Sequence, residues 1–210
     1  MPRNYQLKRR AERQNETRQR IIEATVQLHE MIGGAKTTIS AIAEQAGVER
    51  LTVYRHFPDE RTLFTGCTSH YLALNPPPDP NHWQTIASPT ERLRIGLAES
   101  FIYHRRTEPM FTHAARDMEE FPVLREILAP FFAHWDRVRD ILSSPWETSS
   151  STNPQVRAII GHAISFQTWQ SLGREQKLND VQMVDFWVDV VSCLSSDHAS
   201  GIPNGLVPAS

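Results

Sequence analysis

Paired cysteines, glycine-rich loops and long apolar runs are all missing from this 210-residue chain, and each absence removes a class of function. The two cysteines, Cys67 and Cys193, stand far apart with no CxxC spacing, so they read as buried free thiols in a reducing compartment. Nine histidines occur, yet none is paired as HxxxH or HExxH, and neither a metal site nor a cofactor is expected. There is no GxSxG elbow, no cysteine in a recognisable catalytic setting and no glycine loop to cradle phosphate, which argues against an enzyme. The basic start leads into no apolar signal segment and no run approaches a membrane span, so a cytoplasmic location without membrane contact is expected. Strand-like alternation and internal repeats are absent as well. What remains is helical periodicity, and the expected class is all-α.

Apolar residues make up 40% of the chain and charged ones 22%, enough for a real core in one large domain or two small ones. The net charge of −2 is unevenly spread: residues 1–66 hold 11 basic against 8 acidic side chains, and the remainder 11 against 16. Seven of the basic ones (Arg3, Lys8, Arg9, Arg10, Arg13, Arg18 and Arg20) fall in the first twenty residues. A basic flexible arm over 1–14 could therefore follow phosphates or enter a minor groove; a merely solvated terminus is the plain alternative.

Residues 38–57, TISAIAEQAGVERLTVYRHF, organise the rest. Thr38 is a good N-cap, and Ile39, Ile42, Ala43 and Ala46 recur on one helical face. Gly47 supplies the left-handed corner, Val48 plugs it, and a second helix runs from Glu49 to about His56. Val53 and Phe57 point inward, which leaves Arg50, Leu51, Thr52, Tyr54 and Arg55 mostly outward. Helix, glycine turn, helix is the arrangement whose second helix enters the DNA major groove. Arg50 could then bond guanine bidentately, and Leu51 could touch a thymine methyl.

Helices are expected at 15–31, ended by Gly33-Gly34, and at 59–74, stopped by the prolines of 76–80. The first of them should turn Ile21, Ile22, Leu28 and Ile32 inward. Residues 15–75 thus form a DNA-binding domain, 76–87 a linker, 88–196 a second domain and 197–210 a disordered tail. In the second domain, Ser88-Pro89-Thr90-Glu91 is a capping box that opens a helix to about Arg106. Further helices are expected at 107–118, at 122–143 with a kink at Pro130, at 153–172 and at 179–194, with a polar loop at 144–153. Gly161 marks a close helix approach.

IIEATVQLHEMIGG, AIAEQAGV, TVYRHF and HFPDERTLF, at their spacing over residues 15–75, resemble the DNA-binding domain of the TetR family. ERLRIGLAESFIYHRRTEPMF and GHAISFQTWQSL resemble C-terminal domains of one group of that family. The resemblance implies a dimeric regulator of transcription that binds a palindromic double-stranded operator and is released by a small-molecule effector. It also implies that Thr52, Tyr54, His56 and Arg61 grip phosphates, with Thr38 and Ser40 at the helix start facing the same backbone. Glu49, Leu51 and the order Glu60-Arg61 depart from the usual pattern.

The C-terminal half is rich in aromatic residues, as an apolar pocket between helices would be. Phe101, Phe111, Trp135, Phe166 and Trp169 are candidate walls, and His104, Arg116, Asp117 and His162 candidate polar groups, for an effector with apolar or aromatic surface. His113 and His134 belong to the same polar set. For any single one of these, ordinary core is the plainer reading. Val156, Ile159, Ile160, Ala163 and Ile164, with Val184, Trp187, Val188, Val191 and Leu194, give two apolar faces for a four-helix homodimer interface, as the resemblance implies. A second function stays open: a small-molecule-binding or sequestering protein whose helix-turn-helix no longer binds DNA tightly.

Overall fold

The computed structural model describes residues 3–146 and 154–199. Among them are ten α-helices, and the chain divides into two compact units: 1–76 with 107–130, and 77–106 with the residues from 131 onward.

The first unit opens with α1 (Arg3–Ile32), α2 (Ile39–Ala46), α3 (Arg50–His56) and α4 (Glu60–Leu74). Helix α1 starts at Arg3, not near Asn15, so the expected flexible arm is helical. Residues 5–14 are mostly good helix formers without glycine or proline, but all are exposed, so no apolar stripe betrays the helix. Ile21, Ile22 and Ala24 of α1 meet Ile42, Ala43 and Ala46 of α2, Val53, Phe57 and Leu63 in one small core. Leu28 packs at its edge, whereas Ile32, expected inside, is exposed.

Helix α5 (Pro89–Glu120) begins at the expected box, Ser88 Oγ accepting from the Glu91 amide at 3.3 Å. It is one helix of 32 residues where two were expected, and it runs through Pro109. A proline there removes one backbone donor, a local loss that need not end a helix held on both sides by packing. Residues 107–120 belong to the first unit together with α6 (Pro122–Ile127).

In place of one kinked helix over 122–143, α6 ends at Leu128 and α7 (Ala129–Ser143) starts afresh. Pro130 thus sits in a first turn, where its missing donor costs nothing. The expected helix over 153–172 is also divided, into α8 (Pro154–Ala163) and α9 (Phe166–Gln170), followed by a π turn at Ser171–Glu175. Ser165 makes the division by capping α9, its Oγ accepting from the Thr168 amide at 3.3 Å. Helix α10 (Asp180–Ala199) opens on a reciprocal Asn179–Gln182 cap and passes the expected end at Leu194. The tail from 200 onward, and residues 147–153 of the expected loop, lie outside the described residues.

Of the stretch expected as a linker, 76–87, residues 77–87 belong to the second unit, and Trp83 to its core. A 3₁₀ turn at His82–Thr85 buries Trp83 completely, and its indole N–H donates to Glu99 Oε2 at 3.1 Å. Arg137 donates to Asn81 Oδ1 at 2.6 Å, and Arg92 to the Ile86 carbonyl at 2.8 Å, tying the same stretch to α7 and α5. Trp83, Leu93, Leu97, Phe101, Leu142 and Ile160 are the buried centre of this unit. Two helix approaches are close there. A Cβ on Gly161 would meet Arg139 Cδ at 3.0 Å, and one on Gly96 would meet Leu142 Cδ2 at 2.5 Å.

Candidate nucleic-acid interface and effector region

Thr38 caps α2 from an extended conformation, its Oγ1 accepting from the Ala41 amide at 3.1 Å. Gly47 at φ 63° closes the helix: its amide bonds the Glu44 carbonyl at 3.1 Å, and the Val48 amide bonds that of Ala43 at 2.9 Å. This corner fixes where α3 starts. Val53 and Phe57, 0% and 2% exposed, then fix how α3 is rotated. Four side chains are left outward: Arg50, Leu51, Tyr54 and Arg55, with Leu51 73% exposed although it is apolar. Ser40 is exposed at the first turn of α2, and Thr52 and His56 are half-buried.

The helical N-terminus runs beside this face. Arg10, Arg13 and Arg18 of α1 line one open groove with Thr52, Arg55 and His56. Arg18 also lies over the Phe57 ring, 4.8 Å from its centre, and Arg55 donates to Thr52 Oγ1 at 3.2 Å. Burial, with Arg55 and Arg18 nearby, lowers the His56 pKa. Arg61 is exposed but paired with Glu126 at 2.5 Å, an exposed ion pair of the kind phosphate can displace.

The effector candidates do not gather in one place. Phe101, His104, Trp135, Phe166 and Trp169 lie together in the second unit. His104 stacks on Trp135 at 5.0 Å and meets Phe166 and Trp169 at 5.7 and 5.9 Å between ring centres. Its Nε2–H donates to the Ile164 carbonyl at 2.8 Å, a group freed by the break before α9. Its Nδ1 and the Trp169 indole N–H are buried with no hydrogen-bond partner among the described residues. Burial pushes the His104 pKa down to about 4, so the ring is neutral and Nδ1 is an acceptor. His162 is exposed and sits against Trp187 at 6.0 Å, apart from this cluster. His134 meets Trp135 edge-on at 6.1 Å, while its Nε2–H donates to the Pro78 carbonyl at 3.0 Å.

Phe111, His113, Arg116 and Asp117 are in the first unit instead. That corrects their assignment to one pocket with His104: the far third of α5 packs with the reading head, a partition that helical periodicity cannot show. Asp117 is buried, and its Oδ2 accepts from the Gly34 amide at 2.6 Å. Arg116 is beside it at 3.4 Å, and Phe111 meets Tyr71 at 6.5 Å. His29, buried on α1 and singled out by no motif, lines the same interior. Among the described residues, no group of three or more His, Cys, Asp or Glu could hold a metal ion, and no helix is long and apolar enough to cross a membrane.

A capped helix, a left-handed glycine corner and an outward basic and apolar second helix define a helix-turn-helix DNA-binding protein. Residues 21–67 match the family described as bacterial regulatory proteins, tetR family. Over 54 residues the chain is 39% identical to the nucleoid occlusion factor SlmA of Marinomonas sp. (strain MWYL1), a match that spans 26% of this chain and 27% of that protein. Its fold is that of a transcriptional regulator of Saccharomonospora viridis solved with choline, at 17% identity, TM-score 0.59, and 85% and 96% of the two chains. It is also that of a HlyIIR mutant, at 15% identity, TM-score 0.58, and 91% and 99%. A TetR-family regulator of Syntrophomonas wolfei str. Goettingen matches at 13% identity, TM-score 0.59, again over 91% and 99%. The region that matches the tetR family, residues 21–67, is the one that holds this helix-turn-helix.

Proposed function

We propose that the chain is a repressor that binds a palindromic operator as a homodimer and leaves it when a small molecule binds. One observation carries the DNA half: Arg50, Leu51, Tyr54 and Arg55 stand outward on a helix whose rotation is fixed by buried Val53 and Phe57. Arg50 and Leu51 read bases, while Thr52, Tyr54, Arg55, His56 and Arg61 grip the backbone, with Thr38 and Ser40 at the facing helix start. The basic residues of early α1 add phosphate contacts along the same groove. For the dimer, α10 carries exposed Val181 and Phe186, 69% and 45% accessible, on a helix otherwise rich in core residues. Two such helix pairs would close a bundle across a two-fold axis, which makes the operator palindromic.

The effector enters the cluster around His104. Its walls are aromatic, and the two groups lacking partners are an acceptor, His104 Nδ1, and a donor, the Trp169 N–H. A guest with apolar surface and a hydroxyl or amide would satisfy both. The test is a mobility shift with the DNA that flanks the chain's own gene, at two salt concentrations. A salt-sensitive shift on a palindromic site supports the reading. No preference over random DNA at low salt would leave the sequestering alternative.

A further inference from the structure

We propose that the groove between the first turns of α1 and the end of α3 seats a backbone phosphate of DNA against His56, which takes up a proton as the phosphate binds. The inference rests on the regulator reading and adds a pH dependence to it. Arg10, Arg13 and Arg18 line one side of the groove, and Thr52, Arg55 and His56 the other, all in the first unit.

Charge singles the groove out. Gln6, Arg10, Arg13 and Thr17, three or four residues apart, put one face of α1 along it. Glu12 and Glu16 of the same helix are not on its walls, and among the described residues no carboxylate lines it. Arg10, Arg13 and Arg18 meet no carboxylate elsewhere among the described residues either. Arg61, Arg94, Arg116, Arg139 and Arg157, by contrast, are each paired with one. Arg18 is held on the Phe57 ring, and Arg55 is tied to the Thr52 hydroxyl. Guanidinium groups gathered without a counter-charge, two of them fixed in place, suit a phosphate and repel a cation.

His56 sits half-buried in this field with no hydrogen-bond partner among the described residues. The charges that face it are Arg10, Arg13 and Arg18 from α1 and Arg55 from its own helix. Burial first, then Arg55 and Arg18, lower its pKa, so the free ring is neutral at pH 7 with one N–H and one bare nitrogen. A phosphate in the groove reverses the electrical causes: it offsets the guanidinium charges and itself favours imidazolium. The bare nitrogen then takes a proton from solvent and becomes a second donor to the phosphate oxygens. Between the free and the bound pKa the complex holds more protons than the free chain, so affinity rises as pH falls through that window. Well above the window the ring is neutral in both states, and the dependence vanishes.

Fluorescence anisotropy would follow the full chain on a random-sequence duplex at low salt, since a phosphate contact carries no base information. Binding about three- to tenfold tighter per subunit is expected at pH 6 than at pH 8, because each unit by which binding raises the pKa adds at most a factor of about ten. The plot of log affinity against log salt should also be steeper at pH 6, by about one per subunit, for the added cation. His29 and His104, held down at about 4, stay neutral in the folded chain over this range. His56→Gln should remove the pH dependence, whatever it does to affinity. NMR of the histidine ring protons reads the group directly in the wild-type chain: the His56 titration should move to higher pH when the duplex is added. Equal affinity at the two pH values, or a His56 titration that DNA leaves in place, overturns the inference and spares the regulator reading. A pH dependence that survives in His56→Gln overturns it too, since another group then takes the proton. A chain that binds no duplex at either pH loses the regulator reading and this inference together.

Discussion

The Asp117 carboxylate accepts a hydrogen bond from the Gly34 backbone amide at 2.6 Å, joining the foot of α5 to the turn that ends α1. The contact needs both glycines. Gly33 has φ 86°, and a Cβ there would meet Arg116 Nη2 at 2.7 Å and Asp117 Oδ2 at 3.1 Å. Asp117→Ala should leave a buried amide without a partner and cost about 1–3 kcal/mol, while Asp117→Asn keeps an acceptor and costs less. Urea denaturation of the two variants measures the difference; equal losses would mean that the bond contributes nothing beyond packing.

Gly96 makes a sharper steric prediction. With Leu142 Cδ2 at 2.5 Å from its Cβ position, Gly96→Ala must displace the fully buried Leu142 side chain against its neighbours. Overpacking of that kind costs about 1–3 kcal/mol, more than the ~1 kcal/mol that alanine gains over glycine in a helix. A thermal melt should therefore move down, although propensity alone predicts a rise. Shortening Leu142 to valine in the same chain should return part of the loss.

These contacts show what the sequence could and could not announce. The helix-turn-helix was legible because its signals are local: the Thr38 cap, the Gly47 corner, and Val53 and Phe57 four residues apart. Helix α1 before Asn15 was not, since propensity without an apolar stripe reads equally as a solvated terminus. Pro130, expected to kink one helix, opens α7 instead, and Pro109 sits inside α5, because tertiary packing decides whether a proline ends a helix or starts one. The separation of His104 from Asp117 was hidden for a related reason. Both lie on one helix, and only the fold assigns its two parts to different cores. His29 carries no motif at all; its burial is its only signal.

Acid should destabilise the fold through two histidines. Burial holds His29 and His104 down at about 4 from an ordinary value of 6.5, against the weaker opposing pulls of Asp117 and of the Ile164 carbonyl. The unfolded chain therefore binds more protons than the folded one between those two values. Stability is full above about pH 7, falls as pH drops from 6.5 towards 4, and loses of the order of 3 kcal/mol per histidine at the bottom. Urea midpoints at pH 7.5 and pH 5 should show the drop. His104→Phe should flatten it by about half, and an unchanged slope would mean that the ring is not buried neutral.

DNA binding separates the roles on α3. Tyr54→Ala should weaken all sequences alike, since a phosphate contact carries no base information. Arg50→Ala should weaken binding too, but also relax preference at one base pair per half-site, a guanine contact being worth ~1–3 kcal/mol of discrimination. Leu51→Ala should act at a neighbouring pair, by loss of contact with a thymine methyl. The α1 extension gives a further handle. Arg10 and Arg13 share an open groove with Thr52 and Arg55, so replacing both by glutamine should leave base preference intact while the plot of log affinity against log salt becomes less steep by about 2. Fluorescence anisotropy over a salt series, on the preferred site and on single-pair variants of it, measures every one of these quantities. If Arg50→Ala and Leu51→Ala both leave the base preference unchanged, sequence is not read by the outward face of α3. If the arginine pair leaves the salt slope unchanged, the early turns of α1 do not touch DNA.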